Sequence, residues 1–288
     1  MQRIANFCQQ FIQMCYVVRP HATCAAPYLP SVRRAFILTL TTEHGTRRMA
    51  MRDKRDPLCK LCRKTYVQYN TPWDVCGTKP PHVHNTATDL VHAYTHLAKH
   101  VLDTMKEGED HVLFLEDDAE ILRDDRRLFG EVDAFLQTEE YDVYSLASFG
   151  ITTPYAGSHR KFGPLFGFSQ AIVWNRSALC KLLQSRVKEH IDVHFLGTLT
   201  RKFTHSVPLV VQTFEDTPNT KTWCFQCKGS EVERSAVRCW LYLLQHGLDL
   251  RTQPHGWHVL HQMGRAETVA GTVAVTLCVF IMQGMRVT

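Results

Sequence analysis

The feature that most constrains this chain is the run His111-Val112-Leu113-Phe114-Leu115, which ends in Glu116-Asp117-Asp118. An uninterrupted apolar run this short, placed after a helix-like segment, reads as a strand buried on both faces of a largely parallel sheet. In such sheets ligands bind just beyond the carboxyl ends of the strands, so the acidic triplet falls where a ligand is expected. Three adjacent carboxylates repel one another unless a cation neutralises them, and hard divalent ions take oxygen ligands. The pattern points to a metal shared with a phosphate-bearing substrate. The competing reading is a solvated turn capped by Asp117 or Asp118.

Around this strand the pattern alternates. Ala35 to Leu40 reads as a first strand, entered through a proline-punctuated segment from Pro20 to Pro30, and Thr65 to Tyr69 as a second. From Thr86 the apolar positions take a helical period through Leu90, Tyr94, Leu97, Val101 and Met105, with Thr86 and Asp89 resembling a capping box and Gly108 a stop. His92, His96 and His100 flank that face at steps that could hold a metal, but without another ligand type nearby they read as boundary histidines. Asp124 or Asp125 caps a further helix, and Tyr141 to Ala147 follows as a strand. Gly150 to Gly167 reads as a ligand-covering loop, and Phe168 to Trp174 as a strand ending at a helix capped by Asn175. Asn175-Arg176-Ser177 is also a glycosylation sequon, which the cap accounts for. Val207 to Val211 adds a later strand. Strands alternating with helices make an α/β domain, expected over residues 35–250 between an N-terminal segment 1–34 and a tail 251–288.

Charge and cysteine content narrow the partners. The net charge of +5 is modest, and the densest basic stretch runs from Arg47 and Arg48 to Lys64. Such a stretch suits a diphosphate or an anionic surface, or is a solvated face; without interleaved aromatics it is no stacking platform for nucleic acid. Eleven cysteines include two C-x-x-C pairs, Cys59/Cys62 and Cys224/Cys227, which could hold a structural zinc with Cys76, His82 and His84 as further candidates. Disulfides and unlinked thiols are the alternatives, so the compartment stays open between cytoplasm and endomembrane. Residues 4–18 read as an amphipathic helix rather than a signal peptide. Thr268 to Met285 carries no charged residue; it reads as a short membrane tail or as a buried or interfacial segment.

In their order these segments resemble glycosyltransferase family 25, the lipopolysaccharide and collagen galactosyltransferase-like group, over roughly residues 35 to 220. The resemblance rests on Leu115-Glu116-Asp117-Asp118, on Thr95-His96-Leu97 where the family has Ser-His-Leu, and on Gly167 to Leu183. It continues in His190-Ile191-Asp192-Val193 and Pro208-Leu209-Val210-Val211-Gln212. Two positions differ: Thr39-Leu40 stands for the family's Asn-Leu, and Val91-His92 for its Gly-Cys. The resemblance implies a GT-A-like, Rossmann-like fold with a mixed, mostly parallel sheet flanked by helices. It also implies inverting, metal-dependent transfer of a hexose from a nucleotide-sugar donor to a glycan or protein acceptor, in glycan biosynthesis. Glu116 and Asp118 would then hold a divalent cation such as Mn2+, while Glu116, Asp117, His96, Arg47 and Gln212 contact the donor. Asp192 would be the base. A noncatalytic binding module held by zinc or disulfides and a metal-dependent phosphohydrolase are the rival expectations.

Overall fold

The computed structural model describes residues 15–212 apart from 43–44, 46–48, 50–56, 148–149, 167–168 and 188. The chain divides by its backbone contacts after Thr213, and the described residues belong to the first unit. Cys224, Cys227 and the apolar segment at Thr268 to Met285 lie outside the described residues, as does Arg47. No described helix is long and apolar enough to cross a membrane.

The core of the unit is a nine-stranded sheet. Its strands are β1 (Tyr16–Thr23), β2 (Arg34–Leu40), β3 (Lys64–Asn70), β4 (His111–Glu116), β6 (Val143–Ser145), β7 (Gly150–Pro154), β8 (His159–Phe166), β9 (Ala171–Asn175) and β10 (Lys202–His205). They run in the order β1-β3-β2-β4-β9-β6-β10-β8-β7, and a separate two-stranded sheet joins β5 (Ala119–Ile121) to β11 (Val210–Gln212). The helices are α1 (Thr86–Thr104), α2 (Arg126–Thr138), α3 (Arg176–Gln184) and the single turn α4 (Ile191–His194).

The sheet is α/β and mixed, but the expectation that it is mostly parallel is corrected. Only β2/β3, β2/β4 and β6/β10 pair parallel, while β1/β3, β4/β9, β6/β9, β8/β10 and β7/β8 pair antiparallel. The apolar run in β4 reports burial of both faces, not the direction of its neighbours. Alternate residues face opposite sides of a strand. Phe114 and Val112 join Phe36, Leu38, Ile172 and Trp174 under α1 and α3, whereas Leu113 and Leu115 join Ile37, Ala171 and Val173 under α2 residues Phe129, Val132 and Phe135. Burying a side chain of this size contributes roughly 1.5–3 kcal/mol. Two helix-covered faces therefore demand apolar residues throughout β4, although its neighbours β2 and β9 run in opposite directions.

Local signals explain most element ends. Asp125 caps α2 by accepting from Arg127 N at 2.9 Å, and Asn175 caps α3 by accepting from Ser177 N at 2.9 Å. The cap of α1 lies one residue earlier than Thr86: Asn85 accepts from Thr88 N at 2.8 Å, in a capping box closed by the Thr88 hydroxyl. Two expectations are revised. Part of the N-terminal segment enters the sheet as β1, an edge strand that tolerates Pro20 through a register shift before Ala22. The stretch expected as a ligand-covering loop contains the β7–β8 hairpin at the opposite edge.

Candidate functional site

Because β3, β2 and β4 are parallel, their carboxyl ends share one edge, with Leu40 opposite Asn70 and Leu38 opposite Glu116. The chain leaves β2 for β3 on one side and returns through α1 to β4 on the other. That reversal makes the crevice between β2 and β4 a topological switch point, where open α/β sheets bind ligands. Across it, Thr39 Oγ1 donates to Asp117 Oδ2 at 2.6 Å. Gly45 closes on the end of β2: a Cβ there would sit 2.1 Å from the Leu40 carbonyl oxygen and 2.7 Å from Thr39 Oγ1. Only glycine permits that approach without rearrangement.

Glu116 ends β4, and Asp117 and Asp118 turn the chain into β5. Glu116 Oε1 accepts from Ser169 Oγ at 2.6 Å and from the Tyr94 hydroxyl at 3.0 Å, and its backbone N–H donates to Gln170 O at 2.8 Å. Tyr94 is fully buried and Ser169 and Asp118 nearly so. Burial, then the charge of Asp118, push the Glu116 carboxyl up to about 8; the Ser169 and Tyr94 hydroxyls pull it down, and Asp192 adds to the rise. Burial is also the chief cause that raises Tyr94, with contributions from the charges of Glu116 and Asp192. Asp192 of α4 thus bears on the same half-buried carboxyl as Asp118, although it lies far along the chain. It is not the cap of its helix: that position belongs to His190, in the left-handed region at φ 50°, which makes no side-chain cap bond. Gln212 reaches the same place through backbone pairing, opposite Ala119 and so next to Asp118.

The fold therefore gathers Glu116, Asp118 and Asp192 electrostatically, with Asp117 held by Thr39 and Gln212 alongside. His96 lies elsewhere. Its ring stacks on Tyr16 at 4.2 Å between centroids, and Nδ1 lies 3.2 Å from Gln68 Oε1. Tyr94 and Ser169 carry no motif and escape sequence reasoning as site residues, while Thr39 is marked only as a departure from the family's Asn-Leu. The one available signal is that a tyrosine on the buried face of a helix needs a partner for its hydroxyl.

The other flank of α1 holds a second polar cluster. Lys79 Nζ, whose side chain is 2% exposed, pairs with Asp89 and donates to Asn70 Oδ1 at 2.7 Å and to Thr71 O. Asp89 Oδ2 accepts from Trp73 N at 3.0 Å, and Lys79 lies 5.0 Å from the centre of the Tyr16 ring. The Tyr16 hydroxyl meets His92 Nδ1 at 2.5 Å. Burial holds His92 and His96 down to about 4, so both rings are neutral at neutral pH. A disulfide between Cys15 and Cys76, 61 residues apart, fastens this cluster. Cys76 is therefore not a zinc ligand. Cys62 is a buried core thiol, pushed up chiefly by burial.

A divalent cation is implied by the triplet, and the residues can be tested for it. Among the described residues, no three His, Cys, Asp or Glu side chains form a ready-made metal cage. A cation shared with a diphosphate needs only one or two protein carboxylates. Glu116 and Asp118 are the residues that would meet that smaller demand, since a cation between them would relieve the repulsion by which Asp118 helps to raise Glu116. No protein-family model matches the chain, and no curated protein matches it in sequence.

Proposed function

We propose that this protein is a glycosyltransferase with a GT-A-like fold, transferring a hexose such as galactose or glucose from a nucleotide-diphosphate donor to a glycan or protein acceptor. The observation that carries the reading is the switch point: three parallel strands end together at the carboxylates of Glu116 and Asp118, with the charge of Asp192 felt at the same spot. Glu116 and Asp118 would hold a divalent cation such as Mn2+, which when bound supplies positive charge to a diphosphate leaving group. Asp117, fixed by Thr39, lines the donor side, and Gln212 and the basic stretch at Arg47 are further donor contacts. Asp192 takes the proton of the acceptor hydroxyl. The hydroxyl oxygen then forms a bond to the anomeric carbon as the bond from that carbon to the diphosphate oxygen breaks, and the electron pair leaves on the diphosphate. Attack opposite the departing group inverts the anomeric centre. The Cys15–Cys76 disulfide favours an oxidising compartment, and hence the endomembrane side of the two expectations.

A panel of nucleotide sugars, followed by nucleotide release with and without Mn2+, tests this. One donor is expected to release nucleotide only with the cation, and Asp118→Asn to remove both that release and metal-dependent donor binding while thermal stability stays close to wild type. Preference for simple phosphate esters would make the protein a phosphohydrolase. No metal-dependent binding of any donor would leave a binding module.

A further inference from the structure

Both side-chain bonds to Glu116 fall on one oxygen. Ser169 Oγ lies 2.6 Å and the Tyr94 hydroxyl 3.0 Å from Oε1, and the Tyr94 hydroxyl also lies 3.0 Å from the Ser169 carbonyl oxygen. The two partners come from different elements: Tyr94 from the buried face of α1, Ser169 from the segment just before β9. Each is itself fixed, Tyr94 by aromatic neighbours Phe114 and Trp174, with ring centres 5.9 Å and 6.1 Å away, and Ser169 by the adjoining Glu116 N to Gln170 O bond of 2.8 Å.

We infer that Tyr94 and Ser169 are positioning residues that lock the Glu116 carboxylate through Oε1 and present Oε2, singly, to a divalent cation. The inference rests on the proposed cation and diphosphate site and adds how that site is held. A carboxylate free to rotate would offer either oxygen, or both, and lose orientation on each binding event; the Ser169 bond to Oε1, with the Tyr94 hydroxyl shared between Oε1 and the Ser169 carbonyl, restricts that freedom before the cation arrives. Partners of this kind orient ligating groups, and their loss weakens metal affinity by tenfold or more. The same two residues tie the end of β4 to α1 and β9, so the ligand geometry is set by rigid elements rather than by the turn at Asp117 and Asp118.

The test measures Mn2+ affinity of the full chain by the electron paramagnetic resonance signal of free Mn2+, with inorganic pyrophosphate standing for the diphosphate, alongside thermal unfolding. Tyr94→Phe and Ser169→Ala are each expected to weaken Mn2+ binding about tenfold. Ser169→Thr, which keeps a hydroxyl, recovers most of the loss. Wild-type binding with unchanged affinity in both variants overturns the inference and leaves the proposed function standing. So does an affinity loss that only tracks loss of folding in both variants and is not recovered by Ser169→Thr. Wild-type protein that binds no Mn2+ with pyrophosphate overturns the proposed site itself, and the inference with it.

Discussion

The two flanks of α1 carry similar kinds of polar residue and opposite kinds of order. On the flank facing β1 and β3, Lys79 neutralises Asp89, Tyr16 meets His92, and His96 meets Gln68. The buried charges of Lys79 and Asp89 there are opposite and paired, and the rings have neutral partners. On the flank facing β4, the Glu116 carboxyl accepts from two hydroxyls, and the acids Asp118 and Asp192 both help to raise it. A closed cluster stabilises a loop; a cluster of acids holds one carboxyl protonated to higher pH, and a bound cation can take the place of that proton. The difference is that the polar groups of the first flank are matched in pairs, whereas the second brings several acids to one strand end.

The largest expected effect would break or secure the open flank. Asp192→Asn should lower sugar transfer by a factor on the order of 10² to 10⁴, the usual share of general-base catalysis, with donor binding and folding close to wild type. Unchanged turnover would return Asp192 to a purely electrostatic neighbour of Glu116 and move the base elsewhere.

The closed flank should respond in stability instead. Lys79→Met leaves Asp89 buried without its cation, a change that costs about 3–5 kcal/mol for a buried pair, read by urea unfolding under oxidising conditions. Adding Asp89→Leu should restore part of the loss, because removing both charges of a buried pair is far less damaging than removing one. A single substitution as mild as a surface mutation would mean that the pair is exposed in solution, and the contrast between the flanks would weaken.

The smallest effect sharpens the comparison through pH. A carboxyl lifted to about 8 from an ordinary 4.5 favours the fold at low pH, and that contribution is lost as pH rises through the folded value. In the absence of added cation, Glu116→Gln should match wild-type stability in acid and melt a few degrees higher in alkali. The histidines run the other way: held down to about 4 against an ordinary 6.5, His92 and His96 favour the fold above 6.5 and lose that contribution as pH falls. Melting temperatures of both proteins from acid to alkaline pH would show the alkaline difference; parallel curves would remove Glu116 from the strained group.

Much of this architecture follows from local chemistry. Apolar residues of period 3.6 fix α1, side-chain oxygens at Asp125 and Asn175 start α2 and α3, and the run into Glu116-Asp117-Asp118 places three carboxylates at the end of a buried strand. Those are interactions among residues a few positions apart, so the sequence alone determines them. Strand direction is different. The insertion of β9 antiparallel between β4 and β6 leaves no mark in the residues of β4, because apolar contacts with α1 and α2 reward burial without regard to which way a neighbour runs. The same holds for the site. The charge of Asp192 reaches Glu116, and Tyr94 and Ser169 choose which of its oxygens is tied, only through the packing of α1, α4 and β9 on one strand end. Hydrogen bonds and charge interactions act over a few ångströms of space, a distance that the order of residues along the chain does not contain and only the tertiary structure decides.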